Sequence, residues 1–591
     1  MCGISGELRF DGRAPDLAAV ARMKDALARR GPDSEGDYRD GPLAFGHRRL
    51  AVIDLSERSR QPMVDRELGL ALVFNGTIYN FHELRRELEA RGHHFFSDGD
   101  TEVILKAYAA WGESCVEHMQ GMFAFAVWDS KKQTLFLARD RLGIKPLYFS
   151  QTSKQFRFAS TPQALLAAGE VDTRIDPVAL HHQLTLHAVV PAPHTILQGI
   201  RKLAPATTMT LDMRGGITTR RYWQLNAQRP AREKSEHEWI EAVHQGLRAA
   251  VEKRRVIADV PVGVLLSGGL DSSLIVALLA EAGQKNLLTF SIGFEDVAEE
   301  KGSEFEYSDQ VAARYATQHQ RFLIPNRDVL TRLPECVRNM SEPMVAQDAV
   351  AFYLLAERVS KEVKVVQSGQ GADEVFGGYF WYPLMERDTG TDLERFRKHY
   401  FDRTHEEFLE TVAPDYHGVD HTSQLIEALL AKPGADTFLD RVLRLDVTTL
   451  IVDDPVKRVD NMTMAWGLEA RVPFLDHELV ELAAGMPPEL KLKSGGKHPL
   501  KTIARGLLPD AIIDRPKGYF PMPALKYVRG EFLTFMREVL NSETCRRRGL
   551  FQRAYVEKLL AAPEQYMTPL QGSKLWHLAL LEYWLQLNVD D

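Results

Sequence analysis

Two short stretches hold side chains whose types and spacing could do chemistry. One is Val262-Gly263-Val264-Leu265-Leu266-Ser267-Gly268-Gly269-Leu270-Asp271-Ser272-Ser273. Its apolar run reads as a buried parallel strand, it stops at Ser267-Gly268-Gly269, and a helical pattern follows through Leu274, Ile275, Leu278 and Leu279. Strand, glycine turn and helix start together present backbone N–H groups and a positive helix end to an anion. Ser267, Ser272 and Ser273 add hydroxyl donors. Asp271 would repel phosphate unless a cation lay between them, so the stretch reads as a pyrophosphate cradle with Mg²⁺ held partly by Asp271. An ordinary strand-to-helix turn is the plain alternative. No Gly-Lys-Ser/Thr follows, so it is not a Walker loop. The other stretch is Met1-Cys2-Gly3-Ile4-Ser5-Gly6. With Met1 removed, the Cys2 thiolate is a nucleophile and its own α-amine, with a pKa near ~8, can be the base.

The elements behind Cys2 must position a substrate for it. Arg30-Gly31-Pro32-Asp33 reads as a turn, Phe45 to Asp54 as a strand with basic residues at its start, and Leu72 to Asn80 as a strand ending in Asn75-Gly76. Asp98-Gly99-Asp100-Thr101-Glu102 precedes a helix, and Gly121–Asp129 and Leu135–Asp140 read as two strands joined by a polar turn. Taken singly, Asn75-Gly76 could be only a hairpin turn, Arg49 a surface charge and Asp100 a helix cap. Their order behind Cys2 resembles a class II glutamine amidotransferase domain, an N-terminal-nucleophile fold with two stacked antiparallel sheets between helices. That resemblance implies that Cys2 attacks the glutamine amide and that Asn75 and Gly76 form the oxyanion hole. It also implies that Arg49 binds the glutamine α-carboxylate and Asp100 the α-ammonium. One departure is visible: Arg29 stands where the family has His before Arg-Gly-Pro-Asp.

Residues 150–235 read as joining material interrupted by Pro191, Pro193 and Pro205, and Ala227 to Ser235 as a linker. Ser235 with Glu238 forms a capping box that opens a helix through Arg254. Beyond it, strands and helices alternate: Leu287 to Phe294, a helix from Ser308 to Thr317, a helix from Ala349 to Ser360, and a strand from Val363 to Gln367. This predicts a parallel sheet with ligands at the strand C-terminal ends. There lie the glycine turn and Ser368-Gly369-Gln370-Gly371-Ala372-Asp373. The glycine turn resembles the signature of the ATP-pyrophosphatases, and residues 235–585 as a whole resemble the synthetase domain of glutamine-hydrolysing asparagine synthetase. The resemblance implies that Leu265 and Ile292 contact adenine, and that Ser267, Gly268, Gly269, Ser272, Ser368 and Gly369 line the ATP site. It further implies that Asp271 and Asp373 hold Mg²⁺-pyrophosphate and that Lys501 neutralises phosphate. Arg471 and Asp476 serve either the site or a buried ion-pair scaffold. Arg515-Pro516-Lys517-Gly518-Tyr519 also stands out.

Two departures bear on the acceptor. The family loop is Ser-Gly-Glu-Gly, whereas this chain has Gln370, which carries no charge and cannot act as a base. The family shows Glu-Pro-x-x-Asp-Pro-Ser, whereas Glu342-Pro343-Met344-Val345-Ala346-Gln347-Asp348 puts Ala346 for the Asp and Asp348 for the Ser. Ser-Gly-Gln-Gly is similar to the bacterial subfamily that amidates N-acetylglutaminylglutamine.

The 591 residues, 45% hydrophobic and 26% charged, suit several globular domains. The expected fold class is α/β multidomain. An N-terminal-nucleophile αββα sandwich over residues 2–215 precedes a parallel α/β ATP-pyrophosphatase domain with added helices over 235–585. A net charge of −8 gives no reason to expect nucleic acid or an anionic membrane surface, and no apolar run reaches a membrane span. No secretion signal is recognisable. Cys115, Cys336 and Cys545 lack CxxC spacing and read as structural thiols in a reducing cytoplasm. The expected enzyme uses ATP and Mg²⁺, hydrolyses glutamine, channels ammonia and amidates a small carboxylate through an acyl-adenylate. The favoured acceptor is peptide-like, with aspartate as the alternative, and a homodimer is compatible with this reading. The rival is a regulatory or storage protein that binds nucleotide without turnover; intact Cys2, Asn75, Asp271, Asp373 and Lys501 count against it, and a glutaminase assay separates the two.

Overall fold

The computed structural model describes residues 2–296, 301–346, 348–515 and 528–590. Gln347 and the stretch 516–519 therefore lie outside the described residues. The N-terminal part stacks two six-stranded antiparallel sheets. The first runs in the order 201–202, 148–151, 155–159, 3–9, 43–49, 34–40, and the second 217–221, 207–211, 134–139, 121–129, 70–78, 63–65. Alternating side chains of both, including Ile4, Leu8 and Phe45 against Val73, Ala126 and Trp128, fill the space between them. Helices Leu17–Ala26 and Pro162–Ala168 cover the outer face of the first sheet, and Phe81–Ala90 and Asp100–Trp111 that of the second. The αββα expectation holds.

Three expectations change. The strand expected from Phe45 to Asp54 ends at Arg49, because residues 53–56 turn back to put carbonyls on the Arg49 guanidinium. Asn75-Gly76 does not end its strand. The ladder runs on to Ile78, with Asn75 opposite Ala124 and Gly76 opposite Phe123. Residues 150–221 are not joining material. They supply four strands, the end of a fifth that begins at Tyr148, and two helices, and the strand Ile217–Arg221 carries the second sheet past residue 215. Short strands between prolines give no local periodicity to read; their pairing partners decide them.

The expected linker is docked: Ala227 N donates to Gly434 O, and Arg229 Nη2 donates to both carboxylate oxygens of Asp440. The Ser235 capping box forms and opens the helix Glu236–Val256. Five parallel strands follow in the order 318–324, 288–294, 262–265, 365–367, 469–471. The expected helix over 308–317 begins earlier, at Phe305, and ends at Arg314. Among the described residues the remainder is helical, and no helix is long and apolar enough to cross a membrane.

The two parts meet across buried charge. Asp460, 3% exposed at its side chain, pairs with Arg30 at 2.9 Å and Lys145 at 3.1 Å, both from the N-terminal part. Lys202 likewise holds Glu342 at 2.7 Å and Asp453 at 2.8 Å. Arg29, the departure from the family His, reaches across to the Tyr353 hydroxyl and lies over the Trp466 ring.

Candidate active sites

Cys2 immediately precedes the strand Gly3–Arg9 and is buried. Its backbone N–H donates to Asn75 Oδ1 at 3.0 Å. The Asn75 amide is thereby fixed with Nδ2 buried and without a protein acceptor, a donor held ready for an oxyanion. A Cβ on Gly76 would stand 2.2 Å from Met122 O, so only glycine lets the backbone pass there. Burial pushes the Cys2 thiol up, while the Leu50 backbone and the Arg49 charge pull it down. A thiol so raised would need a nearby base to act as a nucleophile.

Arg49 is buried, with its guanidinium held by the carbonyls of Ile53, Asp54 and Ser56. Gly99, not Asp100, occupies the helix N-cap position, and the Asp100 carboxylate instead accepts from Ile78 N at 3.1 Å, two residues beyond Gly76. Burial raises Asp100 to about 6, against the pull of that N–H.

In the second part, Ser267 to Gly269 connect the strand Val262–Leu265 to the helix Leu270–Glu281. Ser267 N donates to Ser272 Oγ, and Gly269 N to Ser267 Oγ. Gly268 has φ +77°, and a Cβ there would meet Ser308 N at 2.6 Å. The loop opens on a cavity of about 900 Å³. Leu265, Ser267, Gly269, Asp271, Ser272, Ile292, Ser368, Gly369, Gln370, Asp373 and Lys501 line it, whereas Gly268, expected with them, is not among the lining residues.

Lys497 carries no mark of a role in the sequence. Its Nζ lies 2.6 Å from Asp271 and 2.8 Å from Asp373, and those two charges hold it protonated against its burial. Lys501 sits one helical turn on, donating to Ser494 O. Arg515 also reaches the loop, paired with Glu304 and stacked over Tyr307. Arg471 and Asp476 are scaffold. Arg471 pairs with Glu469 and two backbone carbonyls, and Asp476 caps the helix His477–Ala484 and pairs with Arg254.

Residues 242–586 match the asparagine synthase family, and residues 1–223 match the glutamine amidotransferase domain family. The chain belongs to the asparagine synthase family. It is 31% identical to asparagine synthetase [glutamine-hydrolyzing] 3 of Bacillus subtilis, with all of both chains covered. Asparagine synthetase [glutamine-hydrolyzing] 1 of the same organism is 30% identical over all of this chain and 97% of its own. Amidase chry2 of Gibberella zeae is 27% identical over 88% of this chain and 89% of its own. As an asparagine synthase family member the chain is a glutamine-dependent amidotransferase of the asparagine synthetase type, a carbon–nitrogen ligase, and ATP use is expected of it.

Where this asparagine synthase family member departs from the family pattern, the cavity wall changes. Ala346 presents a methyl group to it. The Asp348 carboxylate is taken by Arg458 at 3.0 Å, and Arg458 also pairs with Asp454. Gln370 Oε1 accepts from Ser368 Oγ.

If Asp100 receives the glutamine ammonium, it must be ionised. Protonation of Asp100 is then expected to remove about a further tenfold of glutaminase kcat/KM per pH unit below pH 6. A pH profile of wild type beside Asp100→Asn checks this. A flat wild-type profile between pH 5 and 7 would remove Asp100 from that role.

Proposed function

We propose that Cys2 attacks the glutamine amide and releases ammonia, with Asn75 Nδ2 and Gly76 facing the oxyanion and Arg49 and Asp100 holding the amino-acid end. In the second cavity a carboxylate oxygen attacks the α-phosphorus of ATP and pyrophosphate leaves. Ammonia then attacks the acyl carbon and AMP leaves. Internal passage of ammonia is supported by the thinness of the partition. Arg30 donates to Cys2 O and pairs with Asp460, which lies on the same helix as the cavity-lining Arg458.

Asp271 and Asp373 converge on one ammonium, so their carboxylates are close enough to share a cation, and all-oxygen donors suit Mg²⁺. Bound there, Mg²⁺ would offset the charge of departing pyrophosphate. Lys497 would hold the same phosphates, and the amides of Gly268 and Gly269 would orient them.

The acceptor we favour is a peptide-like carboxylate such as N-acetylglutaminylglutamine. The observation that carries this is the pairing of Asp348 with Arg458 beside Ala346. The wall keeps no free carboxylate at the two altered positions for an α-ammonium. A cavity of about 900 Å³ also leaves room beyond a nucleotide. Aspartate is the second reading, favoured by the names of the Bacillus relatives. An ammonium left unpaired in the site costs about 3–5 kcal/mol. With ATP and glutamine saturating, kcat/KM for N-acetylglutaminylglutamine is therefore expected to exceed that for aspartate by at least about a hundredfold. A preference for aspartate would make the chain an asparagine synthetase.

A further inference from the structure

His187, Asp402 and His577 come from three separate segments. His187 follows the helix Pro177–Thr185, Asp402 follows Asp392–Tyr400, and His577 lies in Lys574–Leu585. Each imidazole Nδ1 stands 3.3 Å from Asp402 Oδ2. The Asp402 and His577 side chains are 0% and 1% exposed, and that of His187 15%. Yet neither approach is aligned as a hydrogen bond, and both Asp402 oxygens and both His577 nitrogens lack a hydrogen-bonding protein partner. Leaving a buried carboxylate and imidazole so costs stability, unless their lone pairs point at something between them.

The spacing says what would fit. Donors bound to one tetrahedral Zn²⁺ at about 2.0–2.1 Å lie about 3.3 Å apart. All three donor atoms here fall within 4.8 Å of one another. His187 and Ala188 both take left-handed backbone, at φ +53° and +62°, a cost for two successive non-glycine residues that brings His187 to this point. A Cβ on Gly572 would press to 3.0 Å from His577 Nε2 and 3.2 Å from His187 Cε1, so glycine is needed beside both rings.

We infer that His187, Asp402 and His577 bind one divalent transition-metal ion, with Zn²⁺ the ion their donors suit, and that its fourth position faces the synthetase cavity. His187 and Gly572 line that cavity, so the open position can take an oxygen of the acceptor. The ion site stands by itself; only the identity of its fourth ligand rests on the acceptor reading above. The second cluster of this kind, His181, His405 and Asp420, is different. His181 Nε2 already hydrogen-bonds His405 Nδ1 at 3.0 Å, and His181 Nδ1 bonds Thr422. It serves as the control.

The test is Co²⁺ titration of the full chain after dialysis against a chelator, followed by visible absorption, with thermal unfolding to confirm folding. One Co²⁺ per chain with tetrahedral ligand-field bands is expected for wild type and for His405→Gln, and loss of those bands for His187→Gln and His577→Gln. No bands in wild type, bands unchanged in folded His187→Gln, or bands lost in His405→Gln would overturn the site. Should His577→Gln fail to fold, His187→Gln decides, since its side chain is at the cavity wall. N-acetylglutaminylglutamine added to the Co²⁺ protein is expected to shift the bands. Unshifted bands would overturn the open position and leave the ion site standing. Failure of the acceptor assay alone would leave the Co²⁺ uptake untouched.

Discussion

Replacing Cys2 with alanine is expected to abolish glutamine hydrolysis, by at least about four orders of magnitude, while ammonia-driven synthesis continues. The nucleophile is lost outright, and no other thiol can substitute. Cys115, Cys336 and Cys545 are buried elsewhere, each with its thiol pushed up by desolvation. The substitution leaves the backbone N–H that orients Asn75, so the pocket keeps its shape. Glutaminase and ammonia-dependent pyrophosphate release, measured on the same preparation, check the result. Loss of both in a folded protein would refute two separable sites.

Asp271→Asn is expected to lower ATP–pyrophosphate exchange about a hundred- to a thousandfold, with glutaminase turnover near normal. The change removes one of the two charges that hold Lys497 at the phosphate loop, leaving Asp373 alone. It also removes half of the carboxylate pair that would hold a cation. Lys497→Ala should match it, whereas Lys501→Ala should cost less, because Lys501 is tied to Ser494 O and not to the carboxylates. Equal losses at 497 and 501 would return the phosphate role to both lysines.

The parts legible in the sequence are those whose backbone chemistry is local. Ser267-Gly268-Gly269 needs a positive φ at Gly268 and a helix after it, and Ser235 with Glu238 closes its own cap. Lys497 was not legible. It stands four residues before an equivalent lysine, and only the fold brings it to Asp271, 226 positions away. Asn75-Gly76 carries a turn signature that tertiary structure overrides, since the Asn75 side chain is spent on Cys2 while its backbone stays in the ladder. The trio at 187, 402 and 577 has no spacing to read, because each member comes from a different segment.

The short strand Glu469–Arg471 has one end at each site. Glu469 accepts from the Thr77 hydroxyl, two positions past Asn75, and Arg471 O accepts from Ser368 N in the nucleotide loop. Glu469 also adds its negative charge to the surroundings of the Cys2 thiol. Such a strand is a direct structural link between the two sites, and linkage makes any coupling through it reciprocal. Whatever factor the nucleotide applies to glutamine affinity, glutamine applies to nucleotide affinity in turn. Any such factor is measured from either side by a single titration of one ligand in the presence of the other.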